Sequence, residues 1–293
     1  MLIKMNYIQV NKHANYQHLN MTKIISLFIL TFFVLIISGC TLPAYKMLQD
    51  AGQHYQVVSS DNFKHLLAIN SHYAENKPII VFIEGDGLPW QDHNKISFEP
   101  TPDKPLLLEW FLESDLPALY LGRPCYFKLN DQQCSPYWYT HGRYSEPVVD
   151  SMVQVLKENA KENNFILVGH SGGGSLAVLM AEKLDGVETV LTIAGNLQVN
   201  NWSEYHHYST LHGSMDPTLR PILPSDIKQI HLYSPFDQII SAEWIKAYSK
   251  KQLNVELIEL PVYGHNYAWK EFYPNIKKIL HEINFGITGV NIE

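Results

Sequence analysis

Hydrophobic residues along this chain fall into two alternating patterns. Short runs of consecutive apolar residues, rich in Val, Ile, Leu and Phe, are typical of strands buried on both faces of a sheet. Segments in which apolar residues recur every three or four positions are typical of helices with one buried face. The predicted buried strands are residues 78–83, 116–121, 165–169, 187–194, 227–234 and 255–260. The predicted helices are residues 145–159, 175–184, 242–252 and 271–283.

The order of these segments predicts an α/β fold. Strands that alternate with helices form a mostly parallel central sheet with helices on both faces. Residues 54–58 and 64–69 precede the alternation and are predicted to form a hairpin of edge strands, after a tail at residues 41–52. Between residues 196 and 224 the periodicity lapses into a stretch rich in aromatic residues and histidine, which predicts a lid-like segment. We therefore expect residues 41–293 to form a single α/β domain.

The first 40 residues have the pattern of a secretory signal. Lys23 precedes an almost wholly apolar run at residues 24–37, which is short for a membrane-spanning helix. The run ends in Ile37-Ser38-Gly39-Cys40, which resembles the lipobox of bacterial lipoproteins. The resemblance implies lipidation at Cys40 and, with Thr41 following, an outer-membrane location facing the periplasm. A plain cleaved signal or a membrane anchor is the alternative. We expect translation to start at Met21 rather than Met1.

Charge narrows the range of partners. The chain has 293 residues and a formal net charge of −7. Cleavage before Cys40 would remove three lysines and no acidic residue, which lowers the net charge to −10. Such an acidic body argues against a nucleic-acid partner. The partners that remain are a membrane, reached through the N-terminal lipid anchor, and a small-molecule or lipid substrate.

Two cysteines remain once Cys40 is assigned to the lipobox. Cys125 and Cys134 are separated by a short polar loop, and in an oxidising periplasm such a pair indicates a disulfide. Two reduced thiols are the alternative. No residues nearby supply the remaining ligands of a zinc site, and we expect neither a metal ion nor a cofactor.

The most informative motif is Gly169-His170-Ser171-Gly172-Gly173. It follows a predicted buried strand and precedes a helical pattern, which is the setting in which a G-x-S-x-G serine becomes a nucleophile on a sharp turn. Only glycine fits closely around a strained turn of this kind. A glycine-rich loop that happens to contain a serine is the alternative.

This motif and two later residues resemble the α/β-hydrolase family over residues 77–283. The family places an acid after the penultimate strand and a histidine after the last one, in the chain order Ser, Asp, His. Ser171 is then the nucleophile, His265 the general base and Asp237 the carboxylate that orients the imidazole. Taken alone, His265 could be a surface histidine, and Asp237 could cap the helix that follows it.

The resemblance also implies an oxyanion hole built from backbone amides. One donor is the N–H of Gly172, the residue after the nucleophile. The second comes from the turn after the strand at 78–83, where Glu84-Gly85-Asp86-Gly87 replaces the His-Gly-X that is common in the family. By register Asp86 supplies this amide, which requires its acidic side chain to point away from the oxyanion.

These residues together predict a serine hydrolase that cleaves an ester, thioester or amide through an acyl-serine intermediate. An esterase or lipase-like activity fits best, because the site shows no dedicated recognition element; peptidases and acyltransferases use the same triad. A non-catalytic binding protein on the same scaffold is the competing class. Two further stretches resemble a subgroup of exported proteobacterial α/β-hydrolases of undefined substrate: Gly122–Cys125 with Arg143–Ser145, and Ala194–Leu197 with Trp202.

Overall fold

The central sheet of the protein contains eight strands. The computed structural model describes residues 42–75, 77–92, 94–129 and 131–285, so the predicted signal segment and Cys40 lie outside the described residues. The strands in chain order are β1 (His54–Ser59), β2 (Lys64–Ile69), β3 (Ile79–Ile83), β4 (Trp90–Asp92), β5 (Lys95–Ile96), β6 (Ala118–Leu121), β7 (Phe165–His170), β8 (Val187–Ile193), β9 (Lys228–Tyr233) and β10 (Val255–Glu259). Strands β4 and β5 form a separate small hairpin.

The sheet is mostly parallel, which confirms the prediction. Its strand order is β1–β2–β6–β3–β7–β8–β9–β10. Strand β2 pairs antiparallel with β1 and with β6, and every pair from β6 to β10 is parallel. All residues of β3 and β7 are buried, because both strands are central and covered on both faces. This burial explains why their sequences are continuous apolar runs rather than alternating ones.

Helices cover both faces of the sheet. They are α1 (Pro43–Asp50), α2 (Leu106–Glu113), α3 (Glu146–Asn159), α4 (Gly172–Ala181), α5 (Val199–Tyr205), α6 (Ala242–Ser249) and α7 (Tyr273–Asn284). The connection through α2 runs from β3 to β6 in one direction along the sheet, and the connection through α3 runs back to β7. Right-handed crossovers therefore place α2 and α3 on opposite faces. None of these helices is both long and apolar enough to span a bilayer.

Each face has its own packing contacts. On one face, the rings of Trp110 in α2 and Tyr273 in α7 stack with centroids 5.1 Å apart. The Tyr273 hydroxyl also donates a hydrogen bond of 2.9 Å to the Trp110 carbonyl. On the other face, α3 contacts α4, and Lys183 just beyond α4 forms 2.7 Å ion pairs with Glu146 and Asp150 of α3. The residues from Leu42 onward form one compact unit.

Several helices were missed or misplaced by the sequence analysis. The predicted tail contains α1, which buries only Ala44 and Leu48 and is too short to show periodicity. Helix α2 was not predicted, because its nearly uninterrupted apolar sequence has little amphipathic pattern. Helix α4 begins at Gly172, three residues before the predicted start, since glycine is a weak helix former. The segment 196–224 contains α5 and a short 3-10 helix, Pro217–Leu219, and its role as a lid stays a prediction.

Glu84, at the carboxyl end of β3, serves a structural purpose. Its buried carboxylate accepts a hydrogen bond of 2.9 Å from the N–H of Leu108, in the first turn of α2. A carboxylate at this position satisfies an N–H that has no acceptor within the helix. Burial disfavours the charged carboxylate more than the backbone hydrogen bonds to it favour that form. Burial therefore raises the pKa of Glu84 to about 7. The glutamate that stands where the family commonly has histidine therefore anchors α2 to the sheet.

The loop that follows β6 is cross-linked. Cys125 and Cys134 form a disulfide, with their Cα atoms 5.3 Å apart. The carboxylate of Glu99 also holds this loop, because it accepts hydrogen bonds from the N–H groups of Phe127 (3.2 Å) and Lys128 (2.7 Å). The loop is thus fixed to the segment that leads into α2.

The disulfide is expected to stabilise the folded protein by about 2–3 kcal/mol, because it closes a short loop in the unfolded chain. Replacing both cysteines (Cys125→Ala with Cys134→Ala) should lower the free energy of unfolding in urea by that amount. Cys134→Ala alone should lower it similarly, and a reducing agent should then have no further effect. An unchanged urea midpoint in the double variant would contradict this expectation.

Glu84 should make stability depend on pH. Because its pKa rises from 4.5 in the unfolded chain to about 7 in the folded protein, the folded state binds the proton more tightly. The resulting stability is present below pH 4.5 and is lost as the pH rises through 7, by on the order of 3 kcal/mol. As the pH rises from 5 to 8, the unfolding free energy of wild type should therefore fall relative to that of Glu84→Gln. A difference that stays constant with pH would contradict the assignment.

Candidate active site

Ser171 lies at the sharp turn between β7 and α4. Its backbone has φ 52° and ψ −120°, a conformation that non-glycine residues rarely adopt. Such strain persists only where the surrounding structure enforces it, and it concentrates at functional sites. The turn carries the partly exposed Ser171 side chain out from the buried end of the strand.

Close backbone packing around the turn requires its glycines. A Cβ added at Gly169 would overlap the backbone of Gly173, and one added at Gly173 would overlap the carbonyl oxygen of Ile83. The first turn of α4 therefore packs directly against the ends of β7 and β3. Ser171 therefore lies on a strained and tightly packed turn, or elbow, from strand to helix.

The structure brings Ser171, His265 and Asp237 together, although they are widely separated in the sequence. The Ser171 hydroxyl lies 2.8 Å from Nε2 of His265, and Nδ1 of His265 lies 2.7 Å from Oδ2 of Asp237. A carboxylate only accepts hydrogen bonds, so Nδ1 carries the proton and Nε2 accepts from the serine. Both His265 and Asp237 are buried, which shields this chain of hydrogen bonds from water.

Asp237 is held in place by its other carboxylate oxygen. Oδ1 accepts hydrogen bonds from the N–H groups of Ile239 (2.8 Å) and Ile240 (3.0 Å), which leaves Oδ2 for the histidine. The cap of the following helix, α6, is Ser241, whose hydroxyl accepts from the N–H of Glu243. Ser241, rather than Asp237, is therefore the cap of α6.

His170 has a structural contact that sequence reasoning missed. Its Nε2 lies 3.1 Å from the carbonyl oxygen of His265, so the elbow is tied directly to the loop that carries the histidine of the triad. Burial lowers the pKa of His170 to about 3, so the ring is neutral and donates this hydrogen bond from Nε2. Nothing in the sequence marks this contact, because residues 170 and 265 come together only in the folded chain.

The loop after β3 lies beside Ser171. A Cβ added at Gly85 would be 3.4 Å from the Cβ of Ser171, so residues 84–87 pass directly over the elbow. Gly172 is the first residue of α4, where the N–H has no acceptor within the helix. Among hydrogen bonds between described residues, none uses the backbone N–H of Asp86. Within the described part of the chain, both N–H groups are therefore without a protein acceptor.

The Asp86 side chain lies against the elbow, paired with other charged groups. Oδ1 forms a 2.6 Å ion pair with Arg123, and Oδ2 forms one of 2.7 Å with Arg143. The hydroxyl of Tyr144 donates a further hydrogen bond of 2.6 Å to Oδ2. A Cβ at Gly172 would overlap both Oδ1 and the Tyr144 hydroxyl, so the carboxylate touches the first turn of α4. Burial favours protonation of Asp86, but the two arginines and Tyr144 outweigh it and hold the pKa of Asp86 below its usual range.

The aromatic and histidine-rich segment packs beside the Asp237 loop. His206 Nε2 lies 2.9 Å from the carbonyl oxygen of Ile239, and its ring stacks on Tyr208. Tyr208 in turn lies against Trp202, with ring centroids 5.1 Å apart. Within the described part of the chain, no cluster of three His, Cys, Asp or Glu side chains is arranged to hold a metal ion.

One segment of the chain matches a known protein family. Residues 121–199, which include the elbow, match the model of the lipase (class 3) family. A search of curated protein sequences gives no match.

Solved structures extend the likeness over most of the chain. An esterase from Pyrococcus furiosus superposes with a TM-score of 0.56 at 15% identity, covering 83% of this chain and 96% of its own. A membrane phospholipase A described as a bacterial virulence factor gives 0.56 at 13% identity, covering 90% and 99%. A puromycin hydrolase gives 0.55 at 15% identity, covering 82% of this chain and 40% of its own. Together with the elbow and the parallel sheet, these similarities show that the chain has the α/β-hydrolase fold.

Proposed function

We propose that the protein is a serine hydrolase that cleaves carboxylic esters through an acyl-Ser171 intermediate. The observation that carries the proposal is the chain of short hydrogen bonds from Ser171 through His265 to Asp237, which starts at a strained elbow. The match to class 3 lipases over residues 121–199 supports it, since this segment includes the elbow. The fold alone does not name a reaction, because many functions share it.

The geometry suggests how each group would act. His265 Nε2 takes the proton of Ser171 as the serine oxygen attacks the acyl carbon, and Asp237 stabilises the imidazolium that forms. The carbonyl oxygen becomes an oxyanion, which accepts hydrogen bonds from the N–H groups of Gly172 and Asp86. The imidazolium then protonates the departing alcohol, leaving an acyl ester on Ser171. A water molecule activated by the same histidine hydrolyses this ester and restores the free serine.

The substrate is proposed only as a class. A lipid or small-molecule acyl ester fits best, because the solved structures of similar fold include an esterase and a phospholipase A. Thioester or amide cleavage, peptidase activity and acyl transfer would use the same three residues. A binding protein on this scaffold is the competing proposal, but that role does not require the serine and histidine to be hydrogen-bonded.

The nucleophile can be tested with a fluorophosphonate probe. The wild-type protein should be labelled and Ser171→Ala should not. The labelling rate of His265→Ala should be lower than that of wild type by a factor of about a thousand or more, because the serine loses its base. His72→Ala replaces an exposed histidine in the turn after β2, at the amino ends of the parallel strands and so at the end of the sheet opposite Ser171, and it should be labelled like wild type. Untreated wild-type protein would then be assayed on p-nitrophenyl esters of increasing acyl length. Folded wild-type protein that is not labelled would refute the hydrolase proposal and favour the binding protein.

We also propose that the protein is a lipid-anchored protein of the bacterial outer membrane, facing the periplasm. The support is the apolar run at residues 24–37 and the sequence Ile37-Ser38-Gly39-Cys40 that ends it. In a Gram-negative host, the full chain should incorporate labelled palmitate and fractionate with the outer membrane. Cys40→Ser should lose the label, whereas Thr41→Ser should keep it. Equal incorporation by wild type and Cys40→Ser would contradict the anchor.

A further inference from the structure

We propose that Arg123, Arg143 and Tyr144 are positioning residues that fix the loop carrying the second oxyanion donor. The inference rests on the proposed hydrolase function and assigns these three residues a part in it. They act through the side chain of Asp86 and so hold the N–H of that residue beside Ser171.

The contacts place all three residues on one carboxylate. Arg123 binds Oδ1 of Asp86, while Arg143 and Tyr144 bind Oδ2 at 2.7 Å and 2.6 Å. The backbone of Asp86 is held as well, since the hydroxyl of Tyr126 donates a 2.9 Å hydrogen bond to its carbonyl oxygen. Restraint of both the side chain and the carbonyl group leaves the Asp86 backbone little freedom to turn. Its N–H is therefore pre-oriented, as an oxyanion donor must be.

The arginines are themselves fixed. Nε of Arg143 donates a 2.6 Å hydrogen bond to the carbonyl of Thr140, and a terminal nitrogen of Arg123 donates one of 3.3 Å to the carbonyl of Arg143. The Arg123 guanidinium also lies over the rings of Tyr126 and Tyr144, at 5.1 Å and 5.7 Å from their centroids. These contacts hold both arginines in place around the Asp86 carboxylate.

Charge explains why an acidic residue is tolerated here. A carboxylate that touches the first turn of α4 would repel the negative charge that develops on the substrate oxygen. Two guanidinium groups against one carboxylate leave the cluster with one surplus positive charge, which removes that repulsion. The arginine side chains are only 1% and 4% exposed, so both are covered by protein where they pair with Asp86.

The contact between Asp86 and Gly172 completes the argument. Because Gly172 has no Cβ, the carboxylate can rest against the residue that supplies the first oxyanion donor. Both donors are thereby set by one packed cluster. A displacement of Asp86 would alter the spacing between the two N–H groups, and small misplacements in an active site cost large factors in rate.

The decisive variant is Tyr144→Phe, which removes one hydroxyl from Asp86 and keeps the ring. Its control is Tyr273→Phe, which removes a buried hydroxyl that bonds the Trp110 carbonyl and makes no contact with Asp86. On a p-nitrophenyl ester, kcat of Tyr144→Phe should fall about 10- to 100-fold, with KM within about twofold of wild type. The control should keep its kcat while losing a similar amount of thermal stability. Equal kcat in the two variants would overturn the proposal.

Two further measurements complete the test. Arg143→Lys keeps the charge and should retain more kcat than Arg143→Gln, whereas a purely steric role would make the two alike. Amide hydrogen exchange of the peptide covering residues 84–88 should be faster in Tyr144→Phe than in Tyr273→Phe. This readout needs no catalysis, so it decides the positioning role even if the wild type is not labelled by the fluorophosphonate and the hydrolase proposal fails. Unchanged exchange in Tyr144→Phe would count against it.

Discussion

The site depends on how closely the first turn of α4 approaches the ends of β3 and β7. Glycines at positions 169 and 173 allow backbone to meet backbone without side chains between them. This approach forces Ser171 into its strained conformation and brings the loop after β3 alongside it. The placement of Ser171 and of both candidate oxyanion donors follows from that contact. A bulky residue at either glycine would displace Ser171 and the loop after β3 together.

The parts of the fold and site that sequence could predict are those encoded locally. Buried parallel strands have continuous apolar sequences, and the elbow has its glycines next to the serine. Asp237 and His265 could be selected from many acids and 14 histidines only because each lies in the loop that follows a strand. Their chain order after the elbow then completed the prediction.

The parts that sequence could not predict depend on contacts between distant residues. The pairing of Asp86 with Arg123 and Arg143 joins the loop after β3 to the connection between β6 and α3, and no spacing in the sequence indicates it. The same holds for the link from His170 to the backbone of His265. Sequence reasoning expected the Asp86 side chain to point away from the oxyanion. It instead rests against the elbow, where ion pairs make an acidic residue compatible with the site.

The contact between Gly172 and Asp86 also constrains how this protein can vary. The space that a side chain at position 172 would need is filled by the carboxylate of Asp86 and the hydroxyl of Tyr144. Positions 172 and 86 can therefore not change independently of each other. A lineage that acquired a larger residue after its nucleophile would first need a shorter one at position 86, and its two arginines would then lose their partner. The five positions of this cluster should therefore be inherited as a block, and a library that varies them one at a time would sample mostly inactive proteins.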